Sequence, residues 1–280
     1  MRKGEASTLR KEMSVQETQQ ASLAVLAEID RICREQQIRY WIAYGTLIGA
    51  IRHGGFIPWD DDVDIVMPRK DYDAFAAYVQ SPAYRNPEFE LHTCLNNKDY
   101  PFYIMRFCDK GHELVFNGLN YKSGCFVDIY PYDGMGKEED LAFWKSSEAT
   151  IQQIKKRLVM SVSNGLLYGS SFVHRIGNIP QMMLGKIRGK EYYYNLLDVY
   201  CSKFTWEKST HVGIASWSTG TYLYPKEWFD ELVRCPFDCI EVNIPKEYDR
   251  YLRLCYGDYM QLPPEDKRVP YHEYTAYQID

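Results

Sequence analysis

The protein has 280 residues, of which 45% are apolar and 25% charged, and its formal net charge is −5. This composition is typical of a globular chain and excludes disorder, a collagen-like repeat and a coiled coil. The acidic balance argues against general nucleic-acid binding, which favours basic domains. Because no run of about 20 apolar residues and no signal peptide are recognised, we expect a cytoplasmic protein.

In chain order, the first 13 residues are polar, and we expect them to be flexible. Apolar residues recur at spacings of three and four over residues 15–38, which predicts an amphipathic helix. A strand over 39–44 leads into a short helix that ends near Arg52, and another helix is predicted over 69–79. The remaining strands of the front half are predicted at residues 62–67, 89–93, 102–108, 114–116 and 125–130.

The second half has a different pattern. After Lys137 the apolar spacing is mostly helical to about Phe204, and it is then mixed, with a strand at 239–244 and a helix at 245–256. The sequence has no repeat and no obvious linker. We therefore predict a single α+β domain over residues 14–280, with an α/β front half at 14–136 and a helical and mixed back half at 137–280.

Four acidic residues crowd into the five positions 60–64. Since successive side chains of a strand alternate between its faces, Asp62 and Asp64 should project from one face, about 6–7 Å apart. Val63 and Ile65 should point into the core. Neighbouring carboxylates repel one another, and a hard divalent cation with oxygen ligands is the simplest compensation. We therefore predict that Asp62 and Asp64 bind a metal ion and are catalytic.

Three other interpretations of this acidic segment were weighed. A solvated acidic loop would not explain the apolar residues that alternate with the acids. An EF-hand loop starting at Asp60 would need glycine at the position of Ile65. The DxD motif of sugar transferases also binds a metal and a nucleotide, and this alternative stays open.

Gly45 and Thr46 lie between a predicted strand and a predicted helix. Glycine lets a phosphate approach the backbone, and a helix N-terminus presents free N–H groups and the positive end of the dipole. Thr46 adds a hydroxyl donor, although it could also serve as a helix cap. Together with the two acids on the next strand, this arrangement suits phosphoryl transfer.

A third acid, Asp128, lies in the apolar strand-like run CFVDIY. Val127 and Ile129 should face the core, so Asp128 shares the opposite face with Phe126 and Tyr130. An aspartate in such a strand is unfavourable unless it is paired, hydrogen-bonded or metal-bound. We predict that Asp128 completes the metal site; the alternative is a structural hydrogen bond to a neighbouring turn.

These segments closely resemble the signature of the LicD family, bacterial phosphocholine transferases related to the fukutin proteins. The resemblance lies in GTLIGAIRHGGFIPWDDDVDIVMPRKDYDAF from Gly45, in FVDIYPYDG from Phe126, and in YGDYM, LPP and His272 near the C-terminus. It implies a nucleotidyltransferase-like fold with a mixed sheet flanked by helices. Gly45 and Thr46 match the family's phosphate-contacting turn, and Asp62, Asp64 and Asp128 match its metal carboxylates.

The resemblance also implies a reaction that depends on Mg²⁺, with Mn²⁺ as a possible substitute. Phosphocholine, or a related phospho-alcohol, would move from CDP-choline or another CDP-alcohol to a sugar hydroxyl, and CMP would be released. The acceptor would be a cell-surface glycopolymer such as lipopolysaccharide or teichoic acid, or its lipid-linked precursor.

Two positions depart from the family pattern: Tyr44 stands where serine or glycine is usual, and Arg106 where lysine is usual. Arg52 and Arg106 are predicted to bind phosphate, with a surface salt bridge as the alternative for each. Trp59, next to the acids, is predicted to hold the quaternary ammonium of choline by cation–π attraction, and Trp217 is a further candidate for this role.

Residues 149–190 contain seven basic and no acidic side chains, including Lys155, Lys156 and Arg157. Such a helical surface could rest on the anionic lipid of the inner membrane surface. A solvated helical face is the alternative.

Two further classes of function stay open. The first is another metal-dependent transferase, either a nucleotidyltransferase that moves NMP to a small alcohol or a DxD-type sugar transferase. The second is a binding protein that keeps the scaffold without catalysis. The released product would separate them: CMP, pyrophosphate or a nucleoside diphosphate.

Overall fold

A computed structural model describes residues 10–117, 119–163, 172–216, 223–270 and 274–279. The helices in these ranges are α1 (Val15–Gln36), α2 (Tyr44–His53), α3 (Arg69–Val79), α4 (Leu141–Val162), α5 (Phe172–Arg188), α6 (Lys190–Cys201) and α7 (Tyr248–Tyr256). The strands are β1 (Arg10–Glu12), β2 (Trp41–Ile42), β3 (Asp64–Pro68), β4 (Phe89–His92), β5 (Met105–Asp109), β6 (His112–Phe116), β7 (Lys122–Ser123), β8 (Phe126–Gly134), β9 (His211–Gly213), β10 (Tyr224–Pro225), β11 (Leu232–Phe237), β12 (Ile240–Pro245) and β13 (Tyr274–Ile279).

The first helix forms as the apolar spacing predicts. Ser14 caps it: its Oγ accepts from the backbone N of Glu17 at 3.2 Å, and the Glu17 carboxylate accepts from the backbone N of Ser14 at 2.8 Å. Each side chain thereby satisfies a backbone N–H that the helix leaves unpaired. The helix ends where Gln37 takes a left-handed conformation. Its apolar face, including Leu26 and Ile29, is fully buried against the main sheet.

The main sheet is mixed and runs in the order β2, β3, β8, β5, β4. The pair β3 and β8 is parallel, with Asp64 opposite Asp128, and the other pairs are antiparallel. Beyond the end of β5, β9 takes over the same edge of β8, and β10 extends the sheet from there. The predicted α+β class with a mixed sheet flanked by helices is therefore confirmed.

A second sheet has the order β1, β13, β6, β7. Residues 10–12 were expected to be flexible, but they pair with the last strand in the register Arg10↔Ile279. The expectation is wrong there because the alternating C-terminal strand offers the short polar segment a partner. Residues 1–9 lie outside the described residues.

Strands β11 and β12 form a separate hairpin with a two-residue turn at Asp238 and Cys239. The turn lies on the segment that follows α2. The backbone N of Asp238 donates to the Gly54 carbonyl at 2.8 Å, and the Asp238 carboxylate accepts from the backbone N of Phe56 at 3.2 Å. The hairpin thus contacts the residues that connect α2 to the acidic segment.

Helices α4, α5 and α6 pack on one another, as the helical spacing after Lys137 predicts. A second, smaller core lies between α4 and α6 and is built around Trp144, Ile151 and Leu197. The Trp144 indole N–H donates to the Met135 carbonyl at 2.8 Å, which attaches the bundle to the end of β8. Within the described residues, none of the helices is long and apolar enough to cross a membrane.

Several predicted boundaries move by a few residues. Tyr44 begins α2 instead of ending a strand, with a φ of 49° in the left-handed region. Strand β3 begins at Asp64, so Asp62 lies in the approach to the strand. Strand β5 begins at Met105, three residues later than expected, because the aromatic residues before it fold into the core around Arg106.

Candidate active site

The parallel pairing of β3 with β8 brings two acids from distant parts of the chain side by side. Asp64 and Asp128 are direct register partners, and strands in a sheet lie about 4.8 Å apart. Both carboxylates are buried, whereas Val127 and Ile129 point into the core as predicted. Alternation along β8 therefore directs Asp128 to the face on which Asp64 lies.

Three more acids gather just before β3. Carboxylate oxygens of Asp60, Asp61 and Asp62 all lie within 4.8 Å of one another, a spacing that a metal ion could bridge. Asp61 is buried, and Asp60 and Asp62 are partly exposed. The expected alternation of Asp62 and Asp64 along one strand does not hold, but Asp62 still interacts electrostatically with Asp64.

Asp64 is the most unusual of these acids. Its Oδ1 atom is buried and accepts no hydrogen bond within the described residues, while the Tyr130 hydroxyl donates to the same carboxylate. Burial, followed by the charges of Asp62 and Asp128, raises the pKa of Asp64 well above its usual range. An unpaired carboxylate oxygen in such a place is costly unless a cation or a donor occupies it. This geometry fits a divalent cation with oxygen ligands.

Asp128 is held by a buried arginine on the neighbouring strand. The Arg106 guanidinium donates through Nε to Oδ1 at 2.7 Å and through Nη2 to Oδ2 at 2.8 Å. Its carbon lies 3.6 Å from the centre of the Phe126 ring. Four more rings surround it within 6.0 Å, those of Tyr100, Phe102, Phe116 and Tyr121.

This aromatic cage and the two hydrogen bonds fix the orientation of the Asp128 carboxylate. The third guanidinium nitrogen, Nη1, is buried and has no hydrogen-bond partner among the described residues. The predicted contact of Arg106 with phosphate stays a prediction, and the structure adds Asp128 as its partner inside the protein.

Helix α2 begins beside the acids. A Cβ atom on Gly45 would lie 2.6 Å from Oδ2 of Asp60, so only glycine allows this close approach without displacing the carboxylate. Thr46 does not cap the helix, since the cap position is Ala43. Instead the Thr46 hydroxyl accepts from the backbone N of Asp64 at 2.8 Å and fixes the helix to the start of β3.

Arg52 and Trp59 link the acidic segment to the C-terminal region. Arg52 Nη1 donates to the carbonyl of Tyr259 at 2.7 Å, and its Nε lies 3.0 Å from the His53 ring. The Arg268 guanidinium lies 5.7 Å from the centre of the Trp59 ring. The roles predicted for Arg52 and Trp59 stay predictions. Trp217 and His272 lie outside the described residues.

Sequence reasoning did not assign the tyrosines that surround the acids. Tyr130 donates to Asp64, and its ring centre lies 5.6 Å from that of Tyr44 in an edge-to-face arrangement. The Tyr274 hydroxyl donates to the Asp61 carbonyl at 2.6 Å. Tyr130 was open to prediction, since it lies two residues after Asp128 on the same strand face. Tyr274 was not, because its contact joins segments more than 200 residues apart.

Comparison with known proteins finds relatives of this chain. Residues 37–160 match the family model described as LicD/FKTN/FKRP, nucleotidyltransferase domain. The chain is 26% identical over 272 residues to lipopolysaccharide cholinephosphotransferase LicD of Haemophilus influenzae, covering 95% of this chain and 99% of that protein.

Shorter matches fall on other proteins. Human ribitol 5-phosphate transferase FKRP is 61% identical over 28 residues, which are 10% of this chain and 6% of that protein. An uncharacterised protein of Rickettsia prowazekii, RP689, is 43% identical over 47 residues, or 17% of this chain and 18% of the relative. The matched segment contains the described acids from Asp60 to Asp128, and residues 37–160 are similar to the nucleotidyltransferase domain of the LicD family, related to the fukutin proteins.

Proposed function

We propose that the protein is a metal-dependent transferase that moves phosphocholine, or a related phospho-alcohol, from a CDP-alcohol to a sugar hydroxyl and releases CMP. The observation that carries this proposal is the buried Oδ1 of Asp64, which lacks a hydrogen-bond partner among the described residues and lies beside Asp128 and the acids before β3. The name of the relative matched along nearly the whole chain, a lipopolysaccharide cholinephosphotransferase, supports lipopolysaccharide or its lipid-linked precursor as the acceptor. Such a reaction would take place on the cytoplasmic side of the membrane.

Asp62, Asp64 and Asp128 would hold the metal ion, and the donor set of carboxylate oxygens favours Mg²⁺, with Mn²⁺ as a substitute. When bound, such an ion neutralises the charge that develops on the transferring phosphoryl group. Asp64 offers an oxygen without a partner, and Asp128 is presented in a fixed orientation by Arg106. The fit therefore rests mainly on Oδ1 of Asp64, which has no hydrogen-bond partner among the described residues.

The other residues act on the substrates. We infer that the N-terminus of α2 at Gly45 binds the donor phosphates, because helix N-termini favour anions. Arg52, in the last turn of the same helix, is proposed as a further phosphate contact. Arg106 holds Asp128, which we propose takes the proton from the acceptor hydroxyl as the oxygen attacks phosphorus. Thr46 keeps α2 and β3 in register through its bond to the Asp64 backbone.

The donor's choline group calls for an aromatic surface. The Arg268 guanidinium lies 5.7 Å from the centre of the Trp59 ring, and this contact of a cation with the ring supports Trp59 as a candidate for the choline site. Tyr44 and Tyr130 form a second aromatic pair next to Asp64. If Tyr44 contacts the choline group, Tyr44→Leu should weaken the binding of CDP-choline more than that of CDP-glycerol. If Trp59 is the contact, Trp59→Leu should have this effect instead.

The test is donor hydrolysis by the purified protein with Mg²⁺, followed as CMP release. CDP-choline, CDP-ethanolamine, CDP-ribitol and CDP-glycerol are offered separately, with lipopolysaccharide added in a parallel set. CMP from one donor, absent with Asp64→Asn and retained with the control Asp73→Asn on α3, would support the proposal. CMP formation that is equal in both variants would contradict it.

The nucleotidyltransferase alternative is favoured by one observation, the description of the matched domain. It predicts transfer of NMP to a small alcohol, with release of pyrophosphate when CTP and the alcohol are supplied. Pyrophosphate from CTP, with no CMP from the CDP-alcohols, would replace the proposed function by this one. Release of a nucleoside diphosphate from an added nucleotide sugar would indicate a sugar transferase.

A further inference from the structure

The outer face of α5 exposes large apolar side chains. Met183, Leu184 and Ile187 are 56%, 42% and 73% exposed, and their spacing of three and four places them on one side of the helix. Scattered apolar residues are common on protein surfaces, but three adjacent ones on a single helix face are a contiguous patch. We call these residues, with Lys186, Arg188 and Tyr192, the α5 face.

The helix is fixed in this orientation by its other side. A Cβ atom on Gly185 would lie 2.8 Å from the Arg157 carbonyl, so α5 and α4 are in close backbone contact there. The Tyr193 hydroxyl donates to the Leu184 carbonyl at 3.0 Å, and Arg157 Nε donates to Gln181 at 2.8 Å. Met183 and Ile187 therefore cannot turn inward without separating the two helices.

The apolar patch is bordered by positive charge. Lys186 and Arg188 are exposed, and the Arg188 guanidinium lies 5.1 Å from the centre of the half-exposed Tyr192 ring on α6. The sequence has no aspartate or glutamate between Glu148 and Glu191. In a chain of net charge −5, this segment is a basic region.

We propose that the α5 face docks on an anionic lipid surface, with Met183 and Ile187 inserted among the lipids and Lys186 and Arg188 at the headgroups. Apolar side chains in the plane of the interface, flanked by basic ones, are the pattern of helices that lie on membranes. Long basic side chains and tyrosine suit the headgroup layer.

The α5 face differs from the basic residues on α4 that the sequence indicates first. Lys155 is half-buried and Arg157 is engaged with Gln181, whereas Lys156 is exposed. A purely solvated face would not expose three large apolar side chains. The lipid surface is favoured over a protein partner because the apolar and basic residues complement an anionic bilayer with no further assumption about shape.

The experiment is co-sedimentation of the full chain with vesicles of phosphatidylcholine alone or with 30% phosphatidylglycerol. We expect binding to the anionic vesicles, reduced about tenfold or more by Lys186→Glu with Arg188→Glu. The matched control, Lys70→Glu with Arg85→Glu, makes the same change of charge on exposed residues of the front half. It should bind as the original chain does.

The apolar contribution is tested separately by Met183→Gln with Ile187→Gln, which keeps good helix formers on α5. This variant should also lose binding, while thermal unfolding and CMP release from CDP-choline remain unchanged. Equal sedimentation of all variants, or binding to neither kind of vesicle, would overturn the proposal. A concentration-dependent dimer that Ile187→Gln dissociates would replace the lipid by a second copy of the chain.

Discussion

Strand β8 carries two buried arginine–aspartate pairs, and they differ in what surrounds them. At one end Arg106 holds Asp128 with bonds of 2.7 and 2.8 Å, and at the other Arg69 holds Asp133 with bonds of 2.7 and 3.1 Å. Both aspartates are almost completely buried. The chemistry of the two pairs is therefore the same, and only the neighbourhood distinguishes them.

The Asp133 pair joins structural elements. Arg69 begins α3 and lies over the rings of Tyr72 and Tyr103, so that α3, β8 and the segment before β5 meet at one ion pair. Burial raises the pKa of Asp133, although the Arg69 charge opposes this. The pair at Asp128 is different because two buried polar atoms beside it, Asp64 Oδ1 and Arg106 Nη1, have no hydrogen-bond partner in the part of the chain that the structure describes. Unpaired atoms, more than the ion pair itself, mark the site where a ligand is expected.

The largest effect is expected for Asp64→Asn. The amide keeps the shape of the side chain but removes the charge that would hold the cation, so CMP release should fall by about 10³-fold or more. Because the variant also removes a buried charge, its melting temperature without metal should not fall. Activity within tenfold of the original chain would show that Asp64 is not a metal ligand.

Breaking the other pair should affect stability instead. Asp133→Asn leaves the Arg69 charge without its carboxylate, and we expect a loss of about 3 kcal/mol in the free energy of unfolding, measured with urea. The protein that remains folded should keep its turnover number. A loss of activity larger than the loss of folded protein would mean that Asp133 also serves the reaction.

The two arginines can be compared by the same substitution. Arg106→Lys keeps the charge but loses the bidentate contact that orients Asp128, so turnover should drop about 10–100-fold. The Mg²⁺ concentration that gives half-maximal activity should also change. Arg69→Lys should lower the melting temperature without changing the Mg²⁺ dependence. An unchanged Mg²⁺ curve for Arg106→Lys would assign Arg106 to structure alone.

The smallest effect on stability is expected for Lys155, a half-buried charge in the helical bundle. Burial lowers the pKa of Lys155 to about 8 from 10.5. Between these values the unfolded chain binds more protons than the folded one, so stability rises with pH across this window. Below pH 8 Lys155 is charged in both the folded and the unfolded chain, so its burial lowers the free energy of unfolding by the full amount.

Lys155→Met removes this charge. It should stabilise the protein by about 1–3 kcal/mol at pH 7, and the gain should vanish near pH 10.5, as measured by urea unfolding at both values. A gain that does not change with pH would show that packing, not charge, causes it.

The comparison also explains what the sequence could reveal. Alternation along FVDIY placed Asp128 correctly, and the run of acids indicated the site, because both are local patterns with a period of two residues. The contact of Arg106 with Asp128 depends on the register of β5 against β8, which no local pattern contains. The same holds for β1 and β13, whose pairing joins opposite ends of the described chain. Asp62 was placed wrongly because β3 begins two residues later than its apolar pattern indicates.

The turn of the β11–β12 hairpin has a practical consequence for spectroscopy. All eight cysteines are free thiols, and Cys239 in this turn is the exposed one. Its neighbour Asp238 is bonded to the residues that connect α2 to the acidic segment. A fluorophore attached at Cys239 through a maleimide would therefore sit next to that connection without touching the acids, and its emission would report ordering of the acidic segment as Mg²⁺ is added.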